Sequence, residues 1–157
     1  MAVLPVLIYP DPILRQQSVA VTLFDDALDT LIQDMLATMH AHKGVGLAAP
    51  QVGILQQVIV MEFEGKKMAL INPEIIPMKG TTVEEEGCLS LPDTRVIIER
   101  ADKIIVKAQN KKGQVIQIRE KGYFSRIIQH ETDHLKGILI IDKAPLEHVF
   151  PQADHTL

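Results

Sequence analysis

The order of hydrophobic patterns along the chain is the feature that most limits its fold. From about residue 25 to residue 43, apolar side chains recur at three- and four-residue spacing, as on one face of an amphipathic helix. A second helical pattern runs from about residue 122 to residue 135, and only short β-branched runs lie between the two. Helix, several strands, then helix is typical of an α+β protein with antiparallel sheets rather than an alternating β-α-β fold.

The local signals within this pattern define the expected elements. Five strand-like runs separate the helices, at residues 58–61, 69–71, 96–98, 104–106 and 115–118, and a sixth follows at 138–141. Residues 110–113 predict a hairpin connection between the last two strands before the second helix. We expect Gly44 to end the first helix in a left-handed conformation, and Gly137 lies just past the end of the second.

Length and composition limit the class of protein. A length of 157 residues predicts a single domain, 1–157, with a short C-terminal tail after about residue 143. The net charge of −4, with acidic and basic residues interleaved, argues against nucleic-acid or anionic-membrane partners, which require a basic patch. The start of the chain lacks the features of a secretory signal, and no apolar run approaches the roughly 20 residues that span a bilayer. We therefore expect a cytoplasmic protein.

The sequence contains one cysteine, Cys88, which cannot form an internal disulfide. Such a residue is a small buried hydrophobe, a nucleophile or a metal ligand. Considered without its neighbours, Cys88 fits the buried structural role as well as a chemical one.

The stretch HETDH at residues 130–134 lies on the second predicted helix. Because residues four apart share a helix face, His130 and His134 can converge on one ion. Glu131 lies beside that face, where a carboxylate can act on water without being a ligand. The pattern also occurs by chance in unrelated proteins, but the turn before it, which contains Ile127, is apolar. A core-packed helix with these polar groups needs a partner for them, and a metal supplies one.

Two further stretches carry possible chemistry. Cys88 lies in EEGCLSLP at residues 85–92, and a thiolate with two imidazoles would leave an open position, as in catalytic rather than structural metal sites. The histidines that could close the site are His40, His42, His148 and His155, none of which is favoured. In GVGLAAPQ, residues 44–51, small side chains leave the backbone open to an extended substrate, and Gln51 offers an amide donor. On composition alone, a helix-capping loop followed by a small-residue turn is the favoured explanation of this stretch.

Taken together and in this order, the three stretches resemble the peptide deformylase family. Its hallmarks appear as GVGLAAPQ at 44–51, EGCLS at 86–90 and QHETDH at 129–134. The likeness extends from the proline-rich opening through about Asp142. The family removes the formyl group from the N-terminal formyl-methionine of newly made proteins. It usually uses ferrous iron, although other divalent metals can occupy the site. Antiparallel sheets packed around a central metal-binding helix, with one further N-terminal helix, are therefore expected.

The resemblance implies a role for each site residue. One divalent metal, expected to be Fe²⁺ with Zn²⁺, Ni²⁺ or Co²⁺ as alternatives, would be held by Cys88, His130 and His134. Glu131 would take a proton from the attacking water, and the developing oxyanion would be stabilised by the Gln51 side chain and the Leu89 N–H. The formyl-methionyl peptide would be bound by Gly44, Val45, Gly46, Glu86, Gly87, Ile127 and His130, partly as an added strand and partly through a methionine pocket. On the same helix, Asp133 is expected to support the metal ligands and to pair with Arg100.

Other functions remain open at this point. An HExxH-type zinc peptidase would normally take its third ligand downstream, where only 23 residues follow His134. A formyl-peptide or metal-binding module without catalysis would not need Glu131, and a cysteine nucleophile would need no metal. Many bacterial family members continue into a long C-terminal helix that docks on the ribosome. Here Pro151 interrupts such a helix, so we expect at most a transient ribosome association.

Overall fold

The computed structural model describes residues 1–144 and the backbone of residues 149–151. The two helices are α1 (Asp26–Ala41) and α2 (Gly122–Leu135). The strands are β1 (Gly46–Ala48), β2 (Val58–Phe63), β3 (Lys66–Pro77), β4 (Thr81–Cys88), β5 (Leu91–Ala101), β6 (Lys103–Gln109), β7 (Val115–Lys121) and β8 (Val149–Pro151). Short 3-10 helices cover Pro12–Arg15, Ala49–Val52 and Ile140–Asp142.

The strands form two antiparallel sheets. One has five strands in the order β1-β2-β3-β6-β7, and the other has three in the order β4-β5-β8. Helix α2 contacts strands of both sheets and therefore occupies the centre of the molecule. The predicted α+β class, with antiparallel sheets around this helix and one further N-terminal helix, is confirmed.

Strand β2 explains how the five-stranded sheet is covered on both faces. Ile59 and Met61 belong to the apolar cluster that includes Ile127 and Ile128 of α2. Val58 and Val60, on the opposite face, pack in the cluster that contains the apolar stripe of α1. Because successive side chains of a strand point to opposite faces, an unbroken apolar run is what a strand buried on both sides requires.

Helix α1 agrees with the periodicity, but its end differs from the prediction. Asp25 caps it, accepting a hydrogen bond from the Leu28 backbone N–H at 3.1 Å. The left-handed residue is Lys43, with φ of 57°, so the prediction that Gly44 adopts this conformation was wrong. Gly44 has a different reason to lack a side chain: a Cβ atom there would lie 2.8 Å from Leu89 Cδ1.

The segment after α2 is not a strand, so that prediction was also wrong. Residues 138–139 have no regular structure, and Ile140–Asp142 form a 3-10 helix. The Asp142 carboxylate accepts the Leu139 N–H at 2.8 Å, and this local bond replaces a strand ladder. Gly137 does follow α2 in the left-handed conformation, with φ of 73°.

Most strand predictions are confirmed, although the strands extend beyond their apolar runs. The expected hairpin joins β6 to β7, with Gly113 at φ of 81°. Strands β1 and β4 were not predicted, because β1 is made of small residues and β4 is mostly polar. Strand β8 includes Pro151, while residues 145–148 and 152–157 of the predicted tail lie outside the described part of the chain. Within the described residues, neither helix has the length and apolar character needed to cross a membrane.

Candidate metal centre

Three potential ligand side chains meet in the interior, beside α2. The ligand atoms of Cys88, His130 and His134 all lie within 4.8 Å of one another, and all three residues are buried. His134 Nε2 is 3.4 Å from Cys88 Sγ. Two atoms bound to a common ion at about 2.0 and 2.3 Å, at a tetrahedral angle, would lie at about this separation. The structure thus brings together the ligand set that the sequence predicted.

The hairpin between β4 and β5 delivers Cys88 to this point. Leu89 and Ser90 form the turn, and Cys88 pairs with Leu91 across it. The pairing register shifts between Gly87 and Cys88. Such an irregularity re-aims the side chain that follows it, a common device beside active sites.

A buried carboxylate fixes the orientation of His130. Glu86 Oε1 lies 2.9 Å from His130 Nδ1, while His130 Nε2 has no hydrogen-bond partner among the described residues. Because buried polar nitrogens are normally satisfied, an orphaned Nε2 aimed at Cys88 and His134 fits a metal ligand. The donor set therefore fits a divalent transition metal on the chemistry of its atoms.

Glu86 is held in its ionised form by its neighbours. Burial alone would raise its pKa, but hydrogen bonds from His130 and Arg100 hold the pKa well below its usual range. Arg100 donates to Glu86 through Nε at 2.6 Å and through a terminal nitrogen at 2.9 Å. Arg126 donates to the same carboxylate from α2. An ionised Glu86 accepts the Nδ1 proton of His130 and leaves Nε2 free to act as a ligand.

The two imidazoles have different pKa values. Burial and the charge of His130 lower the pKa of His134 well below its usual value. Burial would also lower the pKa of His130, but Glu131, Cys88 and Glu86 outweigh it and raise that pKa. A cation that binds here must therefore displace a proton, as is general for metal sites in proteins.

Glu131 is the other chemically unusual group. Its side chain is fully buried, and neither carboxylate oxygen has a hydrogen-bond partner among the described residues. It lies against β1, where a Cβ atom on Gly46 would be 2.5 Å from Glu131 Oε2. Burial raises the pKa of Glu131 to about 7. A carboxylate with such a pKa can both accept and donate a proton near neutral pH.

Gln51 and Leu89 are both neighbours of Cys88, Gln51 in space and Leu89 along the chain. The side-chain oxygen of Gln51, Oε1, accepts the Ala48 N–H at 3.0 Å, which orients the side-chain amide. Its Nε2 donates to Ser90 Oγ at 3.1 Å and lies 3.6 Å from Cys88 Sγ. Leu89 directly follows Cys88 in the hairpin turn. Both predicted oxyanion donors are therefore adjacent to the candidate ligands.

The predicted substrate-binding residues fall into two groups. Gly44, Val45 and Gly46 lead into and begin β1, which is the edge strand of the five-stranded sheet. Ile127 is buried in the cluster that Val45 packs against. Glu86 does not fit the prediction through its side chain, because both carboxylate oxygens are already bonded to His130 and arginines. The part of Glu86 that could bind a substrate is its backbone, since Glu86 and Gly87 belong to β4, an edge strand of the three-stranded sheet.

Two side chains in the site were missed. Arg126 lies one turn before His130 on the same face of α2, and a charged residue at a core-facing helix position was the available signal. Ser90, which accepts from Gln51, gave no such signal. The predicted contact between Arg100 and Asp133 is confirmed, with a distance of 2.8 Å from guanidinium nitrogen to Oδ2.

Comparison with known proteins agrees with this fold and site. A sequence profile of the polypeptide deformylase family matches residues 3–149. A peptide deformylase from Dictyoglomus turgidum is 48% identical over 134 residues, covering 85% of this chain and 88% of the relative. The crystal structure of peptide deformylase from Thermotoga maritima has a TM-score of 0.89 at 46% identity, covering 92% of this chain and 100% of that one. The crystal structure of peptide deformylase from Thermus thermophilus has a TM-score of 0.88 at 39% sequence identity, covering 93% of this chain and 88% of that one. This chain belongs to the polypeptide deformylase family.

Proposed function

We propose that the chain is a metal-dependent hydrolase that removes the N-terminal formyl group from formyl-methionine of newly synthesised polypeptides. The observation that carries this proposal is the pairing of a buried Cys88–His130–His134 ligand set with an unbonded carboxylate, Glu131, in a member of this family. A ligand set with one side free, next to a group that can move protons, is the arrangement of a hydrolytic site.

The metal would be held by Cys88, His130 and His134. A divalent cation bound there would supply a Lewis acid for the formyl oxygen and would lower the pKa of the attacking water. We propose Fe²⁺ as the physiological ion, with Zn²⁺, Ni²⁺ and Co²⁺ as alternatives, because mixed imidazole and thiolate ligands suit all four. Glu86 would maintain the tautomer of His130 that leaves Nε2 free for the ion.

Glu131 would act as the general base and then as the general acid of the reaction. Its carboxylate would accept a proton from the water that attacks the formyl carbon. It would then give a proton to the departing amine nitrogen, so that formate and a free N-terminus are released. Burial without hydrogen bonds leaves this carboxylate with no competing partner among the described residues.

The developing negative charge on the formyl oxygen would be met by two donors. The Gln51 amide carries two N–H groups, and its Nε2 donates to Ser90 Oγ and to Cys88 Sγ. The donation on the Cys88 side is the one that would be redirected to the formyl oxygen. The Leu89 backbone N–H is the second proposed donor. Donors fixed before the reaction lower the barrier without reorganisation, which supports this assignment.

Strand β1 supports the proposed mode of substrate binding. Val45 uses its carbonyl to accept the Glu62 N–H of β2, whereas the Ala48 N–H points the other way, to Gln51. By antiparallel alternation, the peptide groups of Gly46 also point away from β2, toward the open edge. An extended peptide could pair there and with the Gly87 edge of β4, placing its methionine side chain near Ile127 and His130.

Two rival functions are less well supported. A zinc peptidase of the HExxH type would need a downstream third ligand, whereas Cys88 lies upstream and within contact distance of His134. A binding module without catalysis leaves the energetic cost of burying Glu131 unexplained. We further propose a single domain over residues 1–157 with a short tail, a cytoplasmic location, at most transient ribosome association and no nucleic-acid binding of its own.

The proposal is tested by anaerobic purification, metal analysis and a deformylation assay on a short formyl-Met peptide. We expect about one divalent ion per chain and release of formate, and we expect the iron form to lose activity in air because both iron and thiolate oxidise. Metal-loaded protein that binds the peptide but releases no formate would favour the binding module. Activity retained after complete metal removal would favour a cysteine nucleophile instead.

A further inference from the structure

Helix α2 is attached to the two sheets in different ways. Its apolar residues Phe124, Ile127, Ile128 and Leu135 pack in the cluster formed with the five-stranded sheet. The apolar cluster of the three-stranded sheet, which contains Cys88, includes no described residue of α2. Apart from Ala101 at the end of β5, which packs against the first cluster, the three-stranded sheet is joined to the histidine-bearing helix mainly by polar contacts.

Among the described residues of α2, Arg126 makes the largest number of these contacts. Its guanidinium is buried and donates to the Ile98 carbonyl of β5 at 3.1 Å. It also donates to the backbone oxygen of Thr82 on β4 at 3.0 Å and to the hydroxyl of the same residue at 3.1 Å. One planar side chain thus ties the helix to two strands of the three-stranded sheet.

The remaining bond of Arg126 leads directly to the candidate ligands. The guanidinium donates to Glu86, which accepts from His130 and lies two residues before Cys88 on β4. A shift of Glu86 would therefore displace Cys88, which is on the same strand, and His130, which is bonded to Glu86 from α2. Arg126 and Glu86 connect the strand that carries the thiol with the helix that carries the imidazoles.

Stability alone does not account for this arrangement. A buried ion pair is on average no more stabilising than apolar side chains of the same volume, because both charges lose their hydration. Apolar packing is also tolerant of small displacements, whereas several hydrogen bonds to one planar group fix both distance and angle. A metal centre whose ligands come from two separate elements requires such directional contacts, because they hold the ligands at a fixed distance and angle.

We propose that Arg126 is a positioning residue that sets the geometry of Cys88 and His130 toward the metal, acting through Glu86. This inference rests on the metal-dependent function proposed above. It goes beyond that function by assigning the relative placement of the ligands to one guanidinium. The fork of the guanidinium, and not only its charge, is what the role needs, since Glu86, Ile98 and Thr82 are contacted from one plane.

The test uses the full chain loaded with Co²⁺, whose visible spectrum reports coordination geometry and thiolate ligation. The variants are Arg126→Met and Arg126→Lys, and the matched control is Ser125→Ala. That control removes a part-buried hydrogen bond to the Ala101 carbonyl from the adjacent residue of α2. Cobalt spectra, the rate of cobalt loss to a chelator and the melting temperature of the metal-free protein are measured for each.

We expect wild type and the control to share one spectrum and one rate of cobalt loss. Both Arg126 variants should show an altered spectrum and release cobalt about 10- to 100-fold faster, as is typical when a partner of a metal ligand is removed. Arg126→Lys keeps the charge and is the deciding variant if Arg126→Met does not fold. A wild-type spectrum and release rate in a folded Arg126→Lys protein would overturn the inference. A wild-type protein whose cobalt shows no thiolate band would instead overturn the proposed metal centre.

Discussion

The two sides of helix α2 are held by different kinds of interaction. Apolar packing on one side stabilises the fold, whereas hydrogen bonds on the other side orient the candidate metal ligands. On one side, Ile127 and Ile128 are buried against the five-stranded sheet. On the other, Arg126 and His130 meet Glu86 through hydrogen bonds. Hydrophobic burial is non-directional and decides only that the helix lies between the sheets. Hydrogen bonds are directional and decide where its ligand atoms point.

The largest expected effect comes from a residue that supports neither side. Glu131→Gln should lower kcat by about 10²- to 10⁴-fold, because proton transfer by a positioned side chain contributes about that much. Its stability should be unchanged or higher, since the wild-type carboxylate is buried without a hydrogen-bond partner among the described residues. Steady-state kinetics, metal content and thermal unfolding measure these effects. Wild-type turnover in a metal-loaded Glu131→Gln protein would remove Glu131 from the mechanism.

On the polar side, Arg100→Ala should reduce both stability and metal retention. Arg100 is buried and bonds both Glu86 and Asp133, so its loss leaves the buried Glu86 and the partly buried Asp133 each with one partner fewer. Removing one partner from a buried ion pair costs about 3–5 kcal/mol in unfolding free energy. Urea unfolding and metal analysis after dialysis against a chelator test this. Unchanged metal content and stability would contradict the role given to the pairing.

On the apolar side, Ile128→Ala should reduce stability while leaving the metal centre intact. The side chain is fully buried in the cluster with the five-stranded sheet, so truncation leaves a cavity and costs about 2–5 kcal/mol. The rate of metal loss from the folded protein should match that of wild type. If Ile128→Ala released metal as fast as Arg100→Ala, the proposed division between the two sides would be wrong.

The smallest effect tests where β1 and α2 touch. Gly46→Ala would place a methyl group 2.5 Å from Glu131 Oε2, so the carboxylate must move. A displacement of this size in a catalytic group costs about 10²-fold, and we expect the loss in kcat rather than in metal content. The control adds Gly46→Ala to the Glu131→Gln variant: if the methyl group acts through the Glu131 carboxylate, it should cost little further kcat there. A further loss of about 10²-fold in the double variant would show that the Glu131 contact is not decisive.

The features of this molecule that depend on local geometry could be predicted from its amino-acid sequence. The period of α2 places His130 and His134 on one face, and burial of β2 on two sides follows from its unbroken apolar run. The meeting of Cys88 with the histidines came from a family resemblance, since the two stretches are far apart in the chain. No local rule relates residues at that separation.

Other features depend on contacts between segments that are distant in the chain. Strand β4 is polar and exists because β5 pairs with it. Residues 138–141 are apolar yet pair with no strand among the described residues, and they lead instead into a 3-10 helix in which Asp142 accepts the Leu139 N–H. The bond between Arg126 and Glu86 joins residues 40 positions apart. Such contacts become favourable only after the sheets have enclosed α2, because a buried charge is stabilised by the partner that the fold delivers.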